Sequence, residues 1–407
     1  MFNAHTYGMW KVKGLQTELV SARRYLHKYA EVGFDLEKTC AYIEKKLTEY
    51  GYQPKHCGRA GIVATVGKKG QTFLLRADMD ALPIAEETGL SYACTVGNMH
   101  ACGHDMHAAM LLGAAKLLKM REKELNGRVK LLFQPAEELL EGAKDVIQGG
   151  VLDTPKPQAA MMLHVMTGTP FPAGTAVVAN GVSAPAADYF TITVQGKGCH
   201  GAAPWNGVDA LSVAARILLG LEELPAREIS TVNAAVLTVG KLETQGADNA
   251  ISDRAILKGT LRSFDEETRK QIKTRIENIA NYTAKAFRAN AKVSYGGGCP
   301  TLVNDKALSA HTEQALKEYF GEDKVYTLET LGNNVRAGQG GSEDFAYISQ
   351  KIPSVTVAIS AGKKEDGYVY PLHHPKAVFD EGILSIGATM YAMNAYTWLK
   401  NNIKKGR

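Results

Sequence analysis

Apolar residues recur at helical spacing near the start of the chain. Leu15, Leu19, Ala22 and Leu26 share one face, Gly33 interrupts, and Ala41, Ile43 and Leu47 resume the spacing. This pattern predicts a helical stretch over 15–50. Short apolar runs at 61–66 and 72–76 read as buried strands. Beyond them the pattern predicts a helix over 108–120, a strand over 128–133, a helix over 142–148 and a strand over 159–163. Strands alternating with helices predict an α/β sheet with helices on both faces.

The pattern then changes. Residues 189–195 alternate with period two, as a half-exposed strand does. A helix from about 208 to 224 follows, then strand-like runs at 232–239 and 255–263, a long amphipathic helix over 266–288 and a strand at 291–295. The order β-α-β-β-α-β is that of a ferredoxin-like module. After Gly296–Pro300 the mixed α/β pattern returns, most clearly at 354–360. The expected fold is therefore a mixed-sheet α/β catalytic domain, residues 1–185 and 297–407, interrupted by a small ferredoxin-like α+β domain over 186–296.

Composition narrows the classes. The 407 residues are 45% hydrophobic and 22% charged, which excludes a disordered or fibrous chain. The 47 Lys and Arg against 42 Asp and Glu leave +5. That excess is scattered apart from Lys404, Lys405 and Arg407, so it argues against a nucleic-acid partner. No apolar run approaches the ~18 residues of a membrane span. Residues 1–10 lack the basic and apolar segments of a secretory leader. Six sparse cysteines do not form a disulfide framework, so a reduced, cytoplasmic protein is expected.

Four clusters carry candidate chemistry, at expected strand ends where open α/β sheets bind ligands. Two carboxylates, Asp78 and Asp80, leave a strand. His100, Cys102, His104, Asp105 and His107 crowd into eight residues before a helix. Glu137 and Glu138 follow Gln134-Pro-Ala, and His164 lies near His373 and His374 only if the fold brings the C-terminal segment back. Cys102 and His104 are ligand types that suit zinc and other first-row divalent ions. Glu138, His164 and His373 are the natural remaining ligands. Adjacent carboxylates repel each other unless a cation intervenes. With one, a carboxylate binds metal while its neighbour takes a proton from water. The alternatives are an acidic first helical turn for the Glu pair and a nucleophilic role for Cys102. The latter would leave the other candidates without a task. In the inserted module, His200 sits in a glycine-rich turn, Asn249 in a loop and Arg262 near a strand end, each a weak signal alone.

Taken together, these segments resemble the two-metal amidohydrolase and carboxypeptidase family, in the branch of hippurate hydrolases, N-acyl-amino-acid amidohydrolases and auxin-conjugate hydrolases. The resemblance runs from Arg23–His27 and Glu31–Thr39 through Leu75–Ile84, His100–Ala109, Phe133–Glu138, Gly196–Pro204, Gly259–Arg262 and Gly341–Phe345 to Leu372–Glu381. It implies two divalent ions per subunit, Zn²⁺ or Mn²⁺, held by Cys102, His104, Glu138, His164 and His373, with Cys102 bridging and His374 as the fallback for His373. It further implies Glu137 as general acid/base, His200 and Asn249 at the oxyanion, and Arg262 on the substrate carboxylate. The implied substrate is a small N-acyl amino acid, hydrolysed by a homodimer in which His200 reaches across to the other subunit. A dipeptidase or carboxypeptidase is the nearest rival. A non-catalytic protein on this scaffold should have lost a ligand or the base, and none is missing. Ala30, Cys199, Gly201 and Trp205 depart from the family pattern and bear on substrate preference.

Overall fold

The computed structural model describes Trp10, residues 12–330 and residues 341–402. The basic residues Lys404, Lys405 and Arg407, and the first nine residues weighed as a leader, lie outside the described residues. Among the described residues no helix is long and apolar enough to cross a membrane. The chain divides into two compact units. One comprises residues up to 183 with 303–330 and 344–402, the other 184–302 with 341–343.

In the first unit eight strands form one mixed sheet. Thr72–Asp78 is buried along its whole length and pairs in parallel with Arg128–Gln134 on one side and Ala159–Met166 on the other. Ser354–Ser360 continues the parallel set beyond Ala159–Met166. Lys55–Cys57 and Gly61–Gly67 add an antiparallel edge, and Ala176–Val178 with Val325–Thr327 closes the other. Central strands buried on both faces carry continuous apolar runs, here 73–75 and 131–133, and the polar residues buried beside those runs, Arg76, Asp78, Lys130 and Gln134, are hydrogen-bonded.

The expected helical stretch over 15–50 is two helices, Leu15–Lys28 and Glu37–Glu49. Helices His104–Met120 and Leu384–Asn401 are almost wholly buried in the same core. An apolar residue on every face marks a helix surrounded by protein. The helix expected from Ala108 starts four residues earlier, so His104 is its first residue.

Parallel pairing of Thr72–Asp78 with Ala159–Met166 stops at Arg76 opposite Met162. There the Tyr391 hydroxyl accepts from the Leu163 N–H at 2.8 Å and donates to the Arg76 carbonyl at 2.6 Å. Past this plug the next outward-facing groups bond to side chains. The Val165 N–H donates to His107 Nε2 at 2.8 Å, and His107 Nδ1 meets Asp78 Oδ1 at 2.5 Å. A crevice between parallel strand ends is where an open α/β sheet takes its ligand.

The second unit is a four-stranded antiparallel sheet of Ala186–Gln195, Ala235–Thr244, Arg254–Ser263 and Asn290–Cys299. Helices Ala210–Arg227 and Glu266–Ala286 pack on it around Ile217, Leu221, Ile272 and Ile276. Asp209 and Asp265 cap the two helices by accepting from first-turn N–H groups. Its spatial strand order, with the second strand at one edge and the fourth at the other, is that of the ferredoxin-like fold.

Candidate metal centre and active site

All five proposed ligands converge at the crevice. Gly103 adopts φ 82° between Cys102 and the helix that begins at His104. A Cβ there would meet Val165 Cγ2 at 2.3 Å, so only glycine lets the turn seat Cys102 and His104 together. Cys102 Sγ lies 3.6 Å from His164 Nε2. The ligand-type atoms of Cys102, His104 and His164 all fall within 4.8 Å of one another, and so do those of Cys102, Glu138 and His373. Cys102 belongs to both groups, the position a bridging ligand would occupy. His164 lies within the strand Ala159–Met166 and not at its end.

The orientation of each group is set by its neighbours. His104 Nδ1 donates to the Asp80 carbonyl at 2.9 Å, which turns Nε2 inward. Nε2 then lies 3.8 Å from Glu138 Oε1, and neither buried atom has a hydrogen-bond partner. His164 Nδ1 donates to the Val165 carbonyl at 2.8 Å, again leaving Nε2 to face Cys102. His373, in a left-handed turn (φ 64°), is pinned by its N–H to the Ala101 carbonyl and brings Nε2 to 3.5 Å from Glu138 Oε1. His374 is engaged elsewhere, stacked on Tyr370 and accepting from the Lys376 N–H.

Glu137 and Glu138 lie in a turn and not in a helix. The Asp80 carboxylate accepts from both of their N–H groups, at 3.0 and 3.2 Å. Burial raises the Glu138 carboxyl to about 7 and lowers His164 to about 3. Burial also drives the Cys102 thiol well above its ordinary range. Burial opposes charge on His104, but the Asp78 carboxylate and Cys102 beside it raise its pKa well above the usual histidine range. A thiol, a carboxyl and inward imidazole nitrogens, two of them (His104 Nε2 and Glu138 Oε1) buried without a hydrogen-bond partner, form a donor set that divalent cations would satisfy. Such a site fits soft and borderline first-row ions.

Behind the ligands stands a charged support that the sequence patterns flagged only in part. Asp105, next to His104, is ion-paired with Arg23 at 2.7 Å and His27 at 2.8 Å. Burial works against its charge, yet those two cations hold its carboxyl well below the ordinary range. Asp78 and Asp80 were visible as a pair leaving a strand, but nothing local assigns one to His107 and the other to the Glu137–Glu138 backbone. Arg76 and Asp344 lie in segments that carry the family resemblance, but no role followed for either from the sequence. Their partners lie up to 268 residues away in sequence, so no spacing could have announced them.

The remaining predicted residues belong to the second unit. Cys199–His200 pairs with Ala250–Ile251, with His200 opposite Ala250, which sets Asn249 beside the exposed His200. Its Nδ1 accepts from the Ala202 N–H at 3.1 Å, leaving the proton on Nε2. Arg262 lies at the far end of the strand Arg254–Ser263, with Nη2 3.4 Å from the Tyr189 hydroxyl. That end is eight residues, or ~26 Å at the usual strand rise, from Arg254. The ladder continues beyond Arg254 in the opposite direction to His200.

Residues 74–396 match the model of peptidase family M20/M25/M40. The chain belongs to that family. It is 36% identical to an N-acetyl-L-cysteine deacetylase of Bacillus subtilis over 90% of this chain and 85% of the relative. It is 32% identical to thermostable carboxypeptidase 1 of Saccharolobus solfataricus over 94% of this chain and 96% of the relative. Among solved structures, a dinuclear metal-binding M20 peptidase from Bacillus subtilis superposes with a TM-score of 0.78 at 30% identity, covering 96% of this chain and 99% of that one. As a member of this family the protein is a metal-binding hydrolase of amide bonds, on an α/β scaffold shared with those relatives.

Proposed function

We propose that the protein hydrolyses N-acyl amino acids to a carboxylic acid and a free amino acid, using two divalent ions. The observation that carries this reading is the convergence of Cys102, His104, Glu138, His164 and His373 around two unpaired buried atoms, with Glu137 alongside. Cys102, His104 and His164 would hold one ion and Cys102, Glu138 and His373 the other. The Cys102 thiolate favours zinc by its softness, and the family resemblance makes manganese an equal candidate. Bound metal would supply a Lewis acid that polarises the scissile carbonyl and acidifies water.

Glu137 takes the proton of the attacking water and returns it to the leaving amine. Its place is fixed by the Asp80 clamp on its N–H. His200, with its proton on Nε2, donates to the oxyanion that develops, and Asn249 lies next to it. Arg262 grips the α-carboxylate through a bidentate pair. His200 and Arg262 lie toward opposite ends of the second unit's sheet, farther apart than a small substrate spans. One substrate touching both must take them from two chains. This supports a homodimer in which His200 of the partner subunit completes the site of Glu137.

The named carboxypeptidase relative favours a second reading, cleavage of a C-terminal peptide bond by the same machinery. Turnover of N-acetyl, N-benzoyl and indoleacetyl amino acids against dipeptides, with metal analysis of the same sample, separates the two. Dipeptides turned over faster than every N-acyl amino acid would reverse the assignment.

A further inference from the structure

The loop that carries Glu137 is strained. Ala136 and Leu140 both adopt positive φ, 52° and 56°, without being glycine. Such backbone persists only where the surroundings over-determine it. At Gly142 a Cβ would strike the Pro135 carbonyl oxygen at 1.6 Å, so the loop closes tightly on itself. Asp80 holds the loop from one side. From the other comes Asp344, fully buried. Its Oδ1 accepts from Arg76 Nη2 at 2.9 Å and Gln134 Nε2 at 2.7 Å, and its Oδ2 from the Ala143 N–H at 2.7 Å. Gln134 and Ala143 bracket the loop, three residues before Glu137 and six after it. The Asp344 N–H itself points to Glu137 Oε1 at 3.4 Å.

We propose that Asp344 is a positioning residue for the Glu137 carboxylate, locking both the loop and one carboxylate oxygen in the orientation needed for proton transfer. This rests on Glu137 being the general base. All three groups seen on the Asp344 side chain are donors. Asparagine would turn its own NH₂ toward one of them, so the segment must shift although size and shape are kept. A displacement of about 1 Å in a catalytic group can cost about 10²-fold.

The test uses the metal-loaded enzyme with an N-acyl amino acid. Asp344→Asn should lower kcat about 10- to 100-fold, leave KM within about twofold and keep metal content near wild type. It also uncharges a partner of the buried Arg76, so the melting temperature should fall and rates are read well below it. Gln134→Met removes one donor without touching Asp344 and should lower kcat by a smaller factor, again at constant KM. The decisive reading is coupling. In a Glu137→Gln background, Asp344→Asn should change the residual rate less than about twofold, because the group it positions is gone. Full multiplicative losses in the double variant would show Asp344 acting elsewhere and overturn the proposal. A wild-type kcat in Asp344→Asn, with Glu137→Gln inactive, would overturn it while leaving the base assignment intact. Near-normal turnover of Glu137→Gln would overturn both. If Asp344→Asn does not fold, the same coupling is measured with Gln134→Met, and its absence is equally fatal.

Discussion

His104 Nε2 and Glu138 Oε1 face each other across 3.8 Å, both buried and neither hydrogen-bonded. Two protein groups left this way cost more than a hydrogen bond gained elsewhere returns. Two cations, one held by each group, would remove the cost. Metal removal by a chelator should therefore abolish hydrolysis, and Zn²⁺ or Mn²⁺ should restore it. Full activity in demonstrably metal-free protein is the result that excludes this reading.

The same groups set a pH dependence. Metal binding needs deprotonated ligands. Cys102, raised far above neutrality by burial, must release a proton throughout the physiological range. His104, held well above the usual histidine range by Asp78 and Cys102, must release a further one, and Glu138, raised to about 7, another below pH 7. His164, lowered to about 3, releases none. Affinity should thus fall as pH falls, by at least about one decade per unit above pH 7 and more steeply below it. Calorimetry with a competing chelator at pH 8, 7 and 6 measures the slope. A flat profile would contradict the ligand set.

Glu137→Gln keeps shape but removes the base. General acid/base catalysis contributes about 10²–10⁴-fold, and at least that loss is expected with metal still bound. Single-turnover rates together with metal content check it.

Arg262 should make turnover depend on a free α-carboxylate. Two charge-assisted hydrogen bonds are worth enough for roughly 10²-fold in kcat/KM. Comparing an N-acyl amino acid with its carboxamide tests this. Equal rates in the wild type would remove Arg262 from the site.

Subunit exchange tests the shared site. His200→Ala and Glu137→Gln should each be inactive, and a mixed dimer of the two has one site with both residues intact. Activity should return to a fraction of wild type once native mass spectrometry shows the hybrid. An inactive hybrid would place His200 within its own subunit's chemistry, or outside it.

Local pattern determined much of this protein. Buried strands declared themselves as unbroken apolar runs, the second unit as alternation followed by an amphipathic helix, and the ligands as soft and imidazole donors packed into a few residues. Those signals are legible because periodicity and ligand chemistry act over short stretches. Sequence alone could not place the start of the helix at His104, since Gly103 is admitted by a contact with Val165, a strand 62 residues on. The resemblance preferred His373 to His374, but the physical difference between them, a turn pinned to Ala101, belongs to the fold. The roles of Asp78, Asp80, Arg76 and Asp344 emerged only when the sheet brought distant strand ends together. Buried charges must be neutralised by whatever the fold sets beside them, and that neighbour is a property of tertiary structure and not of any window of the chain.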